Sequence, residues 1–230
     1  MRDLVPGVSD VQLGGVSRTG PTMYAAAFVV QDDVTTLVDT GWPDTGDALL
    51  AALDEADVVP ERVFVTHDGR DHYGGLDAVM PRFEPELVVP AEETGLHEAI
   101  DFEPDRLVED GERVGSMAVV VLPGHSPAPA SLYLPDQRTL IAADALDGSD
   151  RRGLPAGWLL PPPASYNELP AVVEANLMRL LDFDIDSVLV FHGSHVLGDA
   201  GDKLERLLHP EPYFEVPGGV VGTHPSGPSR

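Results

Sequence analysis

The chain contains no cysteine. Disulfides and thiolate metal sites are therefore excluded, and any metal must sit on imidazole nitrogen and carboxylate oxygen. Lysine is nearly absent, with Lys203 the single example. Cations of both kinds are scarce: 14 Lys plus Arg stand against 39 Asp plus Glu, a net charge of −25. No apolar run approaches the ~20 residues that cross a bilayer, so no membrane partner is expected. The N-terminus, MRDLVPGVSDVQ, lacks the basic-then-apolar pattern of a secretory signal, which argues for a cytoplasmic protein.

So one-sided a surface repels itself and weakens a compact state in dilute salt. At molar salt the Debye length is only ~3 Å and that repulsion nearly vanishes. The composition therefore points to a protein of a high-salt cytoplasm. Its acidity argues mildly against nucleic acid as a partner, because salt screens steering of either sign. A small-molecule substrate is the expectation, and the oligomeric state is left open.

What is present is an ordinary core. Hydrophobic residues make up 43% of 230, enough for one domain of the larger kind, read here as 1–215, followed by a Pro/Gly-rich tail at 216–230. No internal repeat is visible. Strand-like runs occur at MYAAAFVV (23–30), VTTLVD (34–39), RVFVT (62–66) and ELVVP (86–90). MAVVVLP, SLYLP, TLIAAD and SVLVFHG add four more. Helical spacing appears in DALLAALDEA (47–56), YGGLDAVMPRF (73–83), AEETGLHEAI (91–100) and DAGDKLERLLHP, and is longest in YNELPAVVEANLMRLLDF (166–183). Asp110-Gly111 inside DRLVEDGERV predicts a hairpin. Residues 148–165, rich in Pro and Gly, read as a long surface loop beside a cleft. Hairpins followed by strand–helix alternation predict two sheets covered by helices, an α/β sandwich of layers.

The metal-capable side chains fall just past apolar strands. Asp39 ends TTLV, and His67 follows RVFVT, with Asp71 and His72 four and five positions on. His125 lies in LPGHSP, Asp144 ends TLIAA, and His192 ends SVLV. Loops at one edge of a sheet sit on a rigid scaffold, and that is where sites form. Imidazoles and carboxylates suit a divalent ion when thiolates are absent. Asp144 could bridge two ions, and a water between them would lose its proton near neutral pH.

The run T-H-x-x-x-D-H-x-G-G, followed in order by PGHSP, AADAL and FHG, resembles the metallo-β-lactamase superfamily. The resemblance spans Asp39 to His192 and implies an αββα sandwich with hydrolytic chemistry. It implies that His67 and His125 serve a first metal, that Asp71, His72 and His192 serve a second, and that Asp144 bridges them. Asp39 would sit behind these ligands and orient their loop. The chain departs from the family's H-x-H-x-D-H at its second histidine, which is Gly69. The second site therefore stays intact and the first is weakened. Glycine here also excludes the redox di-iron branch, which carries a glutamate.

The expected reaction is attack of metal-bound hydroxide on an ester, thioester or lactone carbonyl, with Asp71 both binding metal and orienting the water. Zinc is the default ion, one or two per chain, with iron or manganese as alternatives. Two rival readings stand beside this one. The first is a non-catalytic metal- or ligand-binding member of the same fold. The second, a phosphodiesterase or nuclease, is weaker, since the inserted domain and basic surface of that branch are missing. His195 reads as a supporting residue rather than a ligand, and His97, His209 and His224 as solvent-facing. Tyr73 reads as packed.

Overall fold

Successive side chains of a strand point to opposite faces, so a strand apolar at every position must be covered on both sides. The computed structural model, which describes residues 1–15 and 23–209, shows how this chain meets that demand. The expected tail 216–230 lies outside the described residues, as do the last positions of the expected 1–215 domain.

The first sheet has seven strands in sequence order. β1 (Arg2–Val5), β2 (Val8–Gly15), β3 (Met23–Val30) and β4 (Thr36–Val38) form an antiparallel meander. β5 (Arg62–Phe64), β6 (Glu86–Pro90) and β7 (Arg106–Val108) then add in parallel beside β4. The parallel connections need crossovers. They are supplied by α1 (Gly46–Glu55), by α2 (Arg70–Tyr73) with α3 (Leu76–Phe83), and by α4 (Thr94–Ala99).

The second sheet holds β8 (Arg113–Val114), β9 (Met117–Val121), β10 (Ala130–Leu134) and β11 (Thr139–Ile141), all antiparallel. A two-stranded pair, β12 (Asp147–Gly148) with β13 (Leu159–Leu160), and α5 (Val173–Leu177) follow. β14 (Ser187–Leu189) then joins β11 in parallel, before α6 (Ala200–Leu208).

Strand alternation assigns the layers. Phe28, Val38, Phe64 and Val88 face Met117, Val119, Leu132, Ile141 and Leu189 across the space between the sheets. Their neighbours Leu37, Val63 and Leu87 face outward and are covered by Leu49 and Leu53 of α1, Val79 of α3 and Leu96 of α4. On the other side Val120, Leu140 and Val188 are covered by Leu177, Leu180, Leu204 and Leu208. The architecture is the expected αββα sandwich. Among the described residues no helix is long and apolar enough to cross a membrane.

Three local expectations are corrected. The Asp110-Gly111 hairpin does not form, because β7 pairs with β6 in one sheet and β8 with β9 in the other. The step instead carries the chain between sheets. Gly111 takes φ +82°, and Asp110 Oδ1 accepts the Val121 amide at 2.8 Å. The long helix at 166–183 shrinks to α5 and a 3₁₀ segment at Met178–Asp182. Upstream of Pro170 the amides of Glu168 and Leu169 donate to the carbonyls of His125 and Gly124. Residues 166–172 thus hold the His125 loop rather than extend the helix. The helix expected over 73–83 divides into α2 and α3 at Gly74 and Gly75. A Cβ at Gly75 would collide with the Thr40 carbonyl, so the glycine admits a close backbone approach.

One buried polar cluster joins the ends of the chain. Asp10, 1% exposed on β2, accepts hydrogen bonds from Arg2, Gln12 and His195. Burial pushes its pKa up, but the His195, Arg2 and Gln12 donors outweigh that and hold it at about 2, against an ordinary 3.8. A depressed carboxylate stabilises the fold above its unfolded pKa, and the contribution is lost as pH falls toward the folded value. Asp10→Asn should therefore cost about 2 kcal/mol of unfolding free energy near neutrality. In denaturant titrations the gap to wild type should close between about pH 4 and pH 2. A gap that stays constant with pH would contradict this reading.

Candidate metal centre

Asp39 follows β4 directly, and its amide continues the strand ladder by donating to the Phe64 carbonyl. Its φ of 60° is left-handed, a strained conformation for a residue with a Cβ. Its carboxylate, 1% exposed, accepts three bonds. Thr66 donates its amide to Oδ1 and its hydroxyl to Oδ2, both at 2.9 Å, and His72 Nδ1 donates to Oδ2 at 2.8 Å. A carboxylate can only accept, so His72 carries a proton on Nδ1 and Nε2 is the nitrogen left to face the cluster. Phe191 stacks on the His72 ring with centroids 3.6 Å apart.

His192 is fixed the same way. Its Nδ1 lies 3.1 Å from the Tyr24 carbonyl, which can only accept, so Nδ1 carries a proton and Nε2 is again the nitrogen turned toward the cluster. That Nε2 lies 3.1 Å from Asp71 Oδ2 and 3.9 Å from Asp144 Oδ1. Asp144 follows β11 on a 3₁₀ turn, preceded by Ala143 at φ 46°. Its Oδ1 is 3.3 Å from His72 Nε2 and its Oδ2 is 3.5 Å from His125 Nε2.

The structure thus brings His67, Asp71, His72, His125, Asp144 and His192 to one sheet edge, with Asp39 behind them. Two sets of donor atoms lie within 4.8 Å of one another and could hold a cation. One is His67, His72 and Asp144, and the other is Asp71, His72 and His192. His72 belongs to both. His125 stands beside the first set, its ring 5.0 Å from that of His67 and turned edge-on.

The electrostatics favour positive charge here. Burial works against charging His72, but Asp39 and Asp144 outweigh it and raise its pKa well above the usual imidazole range. Burial likewise opposes a charged His192, and Asp144 and Asp71 raise it nonetheless. Asp144 is pushed up by burial yet held well below the usual range by His192, His72 and His67. His67 goes the other way: burial and the neighbouring His72 lower its pKa. Asp71 is held at about 2 against its burial, first by the His192 hydrogen bond.

The donors fit a divalent ion. His67 Nε2, His72 Nε2 and Asp144 Oδ1 are buried and lack hydrogen-bond partners, an arrangement that costs free energy unless something binds there. Asp71 and His125 are the exposed members, at 23% and 17%, and so mark the open side.

Gly69 lies between these groups. A Cβ there would sit 2.8 Å from His67 Nε2, 2.8 Å from His72 Cδ2 and 3.2 Å from Asp71 Oδ1. The position that would carry a further imidazole thus aims directly into the cluster. Asp68 points elsewhere, toward Gly95.

Other sequence expectations meet mixed results. His195 is committed to Asp10 and to the Val190 amide. His97 is half-buried, with Nε2 3.1 Å from the Pro90 carbonyl, rather than solvent-facing. His209 is exposed, and His224 lies outside the described residues. Tyr73 packs against the helix-covered core. The 148–165 loop docks through Gly148, whose amide donates to the His192 carbonyl. Thr66, which links Asp39, His67 and His72, had no role assigned from sequence, although it sits in the T-H pair itself.

The chain belongs to the metallo-beta-lactamase superfamily, whose family model matches residues 19–192. It is 26% identical over 188 residues to the uncharacterized protein YobT of Bacillus subtilis, covering 68% of this chain and 81% of that protein. It is 30% identical to the probable metallo-hydrolase YqgX of the same organism, covering 55% and 68%. Identity to a hydroxyacylglutathione hydrolase of Brucella anthropi is 31% over half of this chain, which spans only 44% of that enzyme. Among solved structures, the mono-zinc form of the metallo-beta-lactamase FIM-1 from Pseudomonas aeruginosa superposes with a TM-score of 0.71 at 15% identity, covering 91% and 96%. A metallo-beta-lactamase family protein from Thermus thermophilus gives 0.70 at 20% identity, covering 90% and 79%. At these identities the structures establish the fold alone.

Gly69→Ala should disturb His67 and His72 selectively, because a methyl at 2.8 Å forces both rings to shift. Imidazole NMR resonances of these two histidines should move while that of His195 stays. Unchanged His67 and His72 resonances would show that position 69 does not face the cluster.

Proposed function

We propose that the protein is a metal-dependent hydrolase acting on the carbonyl of an ester, thioester or lactone. The observation that carries this reading is the convergence of buried imidazole nitrogens without partners, on His67 and His72, with the carboxylates of Asp144 and Asp71. The partial likeness to hydroxyacylglutathione hydrolases supports a thioester among the candidates, over half of this chain only.

In this reading Asp71, His72, His192 and Asp144 hold one divalent ion, by default zinc, with iron or manganese as alternatives. His67 and His125, with a share of Asp144, form a weaker second position because Gly69 supplies no ligand. The ion, when bound, lowers the pKa of a water and polarises the substrate carbonyl. Asp39 holds the proton on His72 Nδ1, and the Tyr24 carbonyl holds the proton on His192 Nδ1, so both rings present Nε2. Asp71, at the open side, would give the ion Oδ2, which lies 3.1 Å from His192 Nε2, and turn Oδ1 toward Gly69 to orient a water. The small-molecule substrate enters from the side of Asp71 and His125. The net charge of −25 supports a high-salt cytoplasm as its setting. The second reading, a ligand-binding member without turnover, is favoured by one feature, Gly69 itself.

Metal analysis of the purified protein should give close to one equivalent. His72→Ala should lower this at least tenfold, since outer partners alone cost ~10–100-fold in affinity. Gly69→His, once the His67 and His72 rings shift to admit its Cβ as in Gly69→Ala, should raise it toward two equivalents and raise turnover on a panel of thioesters, lactones and nitrophenyl esters. Full metal content in His72→Ala would refute the ligand assignment. Metal binding without turnover on any of the three ester types would favour the second reading. Separately, thermal stability should climb as KCl rises from ~0.1 M to molar levels, as screening of a −25 chain requires. A flat response would remove the high-salt assignment.

A further inference from the structure

The segment that carries His192 is short of regular structure, because β14 stops at Leu189. Two residues, Val190 and Phe191, separate the strand end from the imidazole, so contacts outside the strand ladder must fix where His192 points. Besides the Tyr24 carbonyl at His192 Nδ1, four hydrogen bonds to other elements act on this stretch. The Ala26 amide of β3 donates to the Phe191 carbonyl at 3.0 Å, Gly148 of β12 donates to the His192 carbonyl at 2.9 Å, and Asp150 takes the Ser194 amide and hydroxyl. Gly193, at φ +86°, turns the chain between them.

His195 closes the turn on itself. Its Nδ1 accepts the Val190 amide at 3.2 Å, and its Nε2 lies 3.0 Å from Asp10 Oδ2. An amide can only donate, so Nδ1 is unprotonated and the ring proton is on Nε2, donated to Asp10. The side chain is 4% exposed and its ring lies 5.6 Å from that of Phe28. Both nitrogens are spent, so His195 has no lone pair left for a metal.

We infer that His195, seated on Asp10, is a positioning residue that sets the place of His192. The imidazole spans from the first residue beyond the β14 end to the first sheet, and so fixes the loop 190–195 against β2 and β3. Phe191, which stacks on His72, is held by the same turn, so one fastener sets both rings. The inference rests on the proposed role of His192 as a metal ligand, but its geometric half stands apart from any metal.

The test uses the full chain with His195→Ala, His195→Gln and His195→Asn. Glutamine can keep the donor to Asp10, and asparagine can keep the acceptor for Val190. Amide hydrogen exchange is read at Ala26 and Gly148, which bond the Phe191 and His192 carbonyls, and at Val65 in the β5–β6 region as a control. Co2+ affinity and its visible spectrum are read alongside. In His195→Ala, exchange at Ala26 and Gly148 should quicken at least tenfold with Val65 unchanged. The Co2+ Kd should rise about tenfold or more, as loss of outer-partner support does. The Gln and Asn variants should each recover part of both effects. Wild-type exchange at Ala26 and Gly148 in His195→Ala overturns the inference, as does equal quickening at Val65. Should the alanine variant not fold, wild-type exchange and Kd in both amide variants overturn it. Wild-type protein that binds no Co2+ sinks the proposed function, while the exchange arm still decides whether His195 positions the loop.

Discussion

The Asp39 carboxylate is the constraint on which the site depends. It sits where β4 ends, buried beneath the loop that follows β5, and it can act there because the two strands run parallel and side by side. Parallel neighbours deliver their C-terminal ends to the same edge, so a residue just past one strand meets residues just past the next. Asp39 meets the backbone and hydroxyl of Thr66 and the imidazole of His72. A buried carboxylate is costly unless its lone pairs are filled, and three donors fill them. The left-handed backbone at Asp39 is the local strain that this geometry requires.

From that contact the rest of the cluster follows. Once Nδ1 of His72 is occupied, its Nε2 must point toward Asp144, and Asp144 is carried there by the second sheet. The two halves of the sandwich therefore meet chemically as well as by packing. The first sheet supplies Asp39, His67, Asp71 and His72, and the second supplies His125, Asp144 and His192. Because one imidazole nitrogen has one lone pair, His72 cannot serve two ions at once. The two groups that contain His72 therefore compete for it, whereas the His67, His125 and Asp144 position proposed above does not draw on it.

The layers and the site were legible for different reasons. Apolar runs such as VFV and LVV show that both strand faces are covered, and that alone predicts helices on each outer side. The metal-capable residues were readable because each lies in the loop that follows such a run, within about six positions of its end. The 105–114 hairpin was not, since Asp-Gly specifies a turn but says nothing about which strands flank it in space. Nor was the breakdown of the 166–183 helix, because its amides are drawn off by the carbonyls of His125 and Gly124, forty residues away in sequence. The buried Asp10, on which Arg2, Gln12 and His195 converge, also left no trace. A single acidic residue inside a chain with 39 of them carries no signal until its neighbours are known.

Three histidines of this edge share a side chain and differ in fate, and the difference lies in what holds each ring. His72 and His192 each give Nδ1 to an oxygen that can only accept, so each is left with a free nitrogen facing carboxylates. His195 receives an amide on Nδ1 and gives Nε2 to Asp10, so it is closed at both ends. Spacing along the chain could not separate them, for His192 and His195 are three residues apart in one short segment. What separates them is the nature of the first partner: an acceptor oxygen leaves an imidazole open at its far side, and a donor amide closes it. On the proposed reading the protein divides one residue type between binding and fastening, with His195 placed three positions from the ring it would hold.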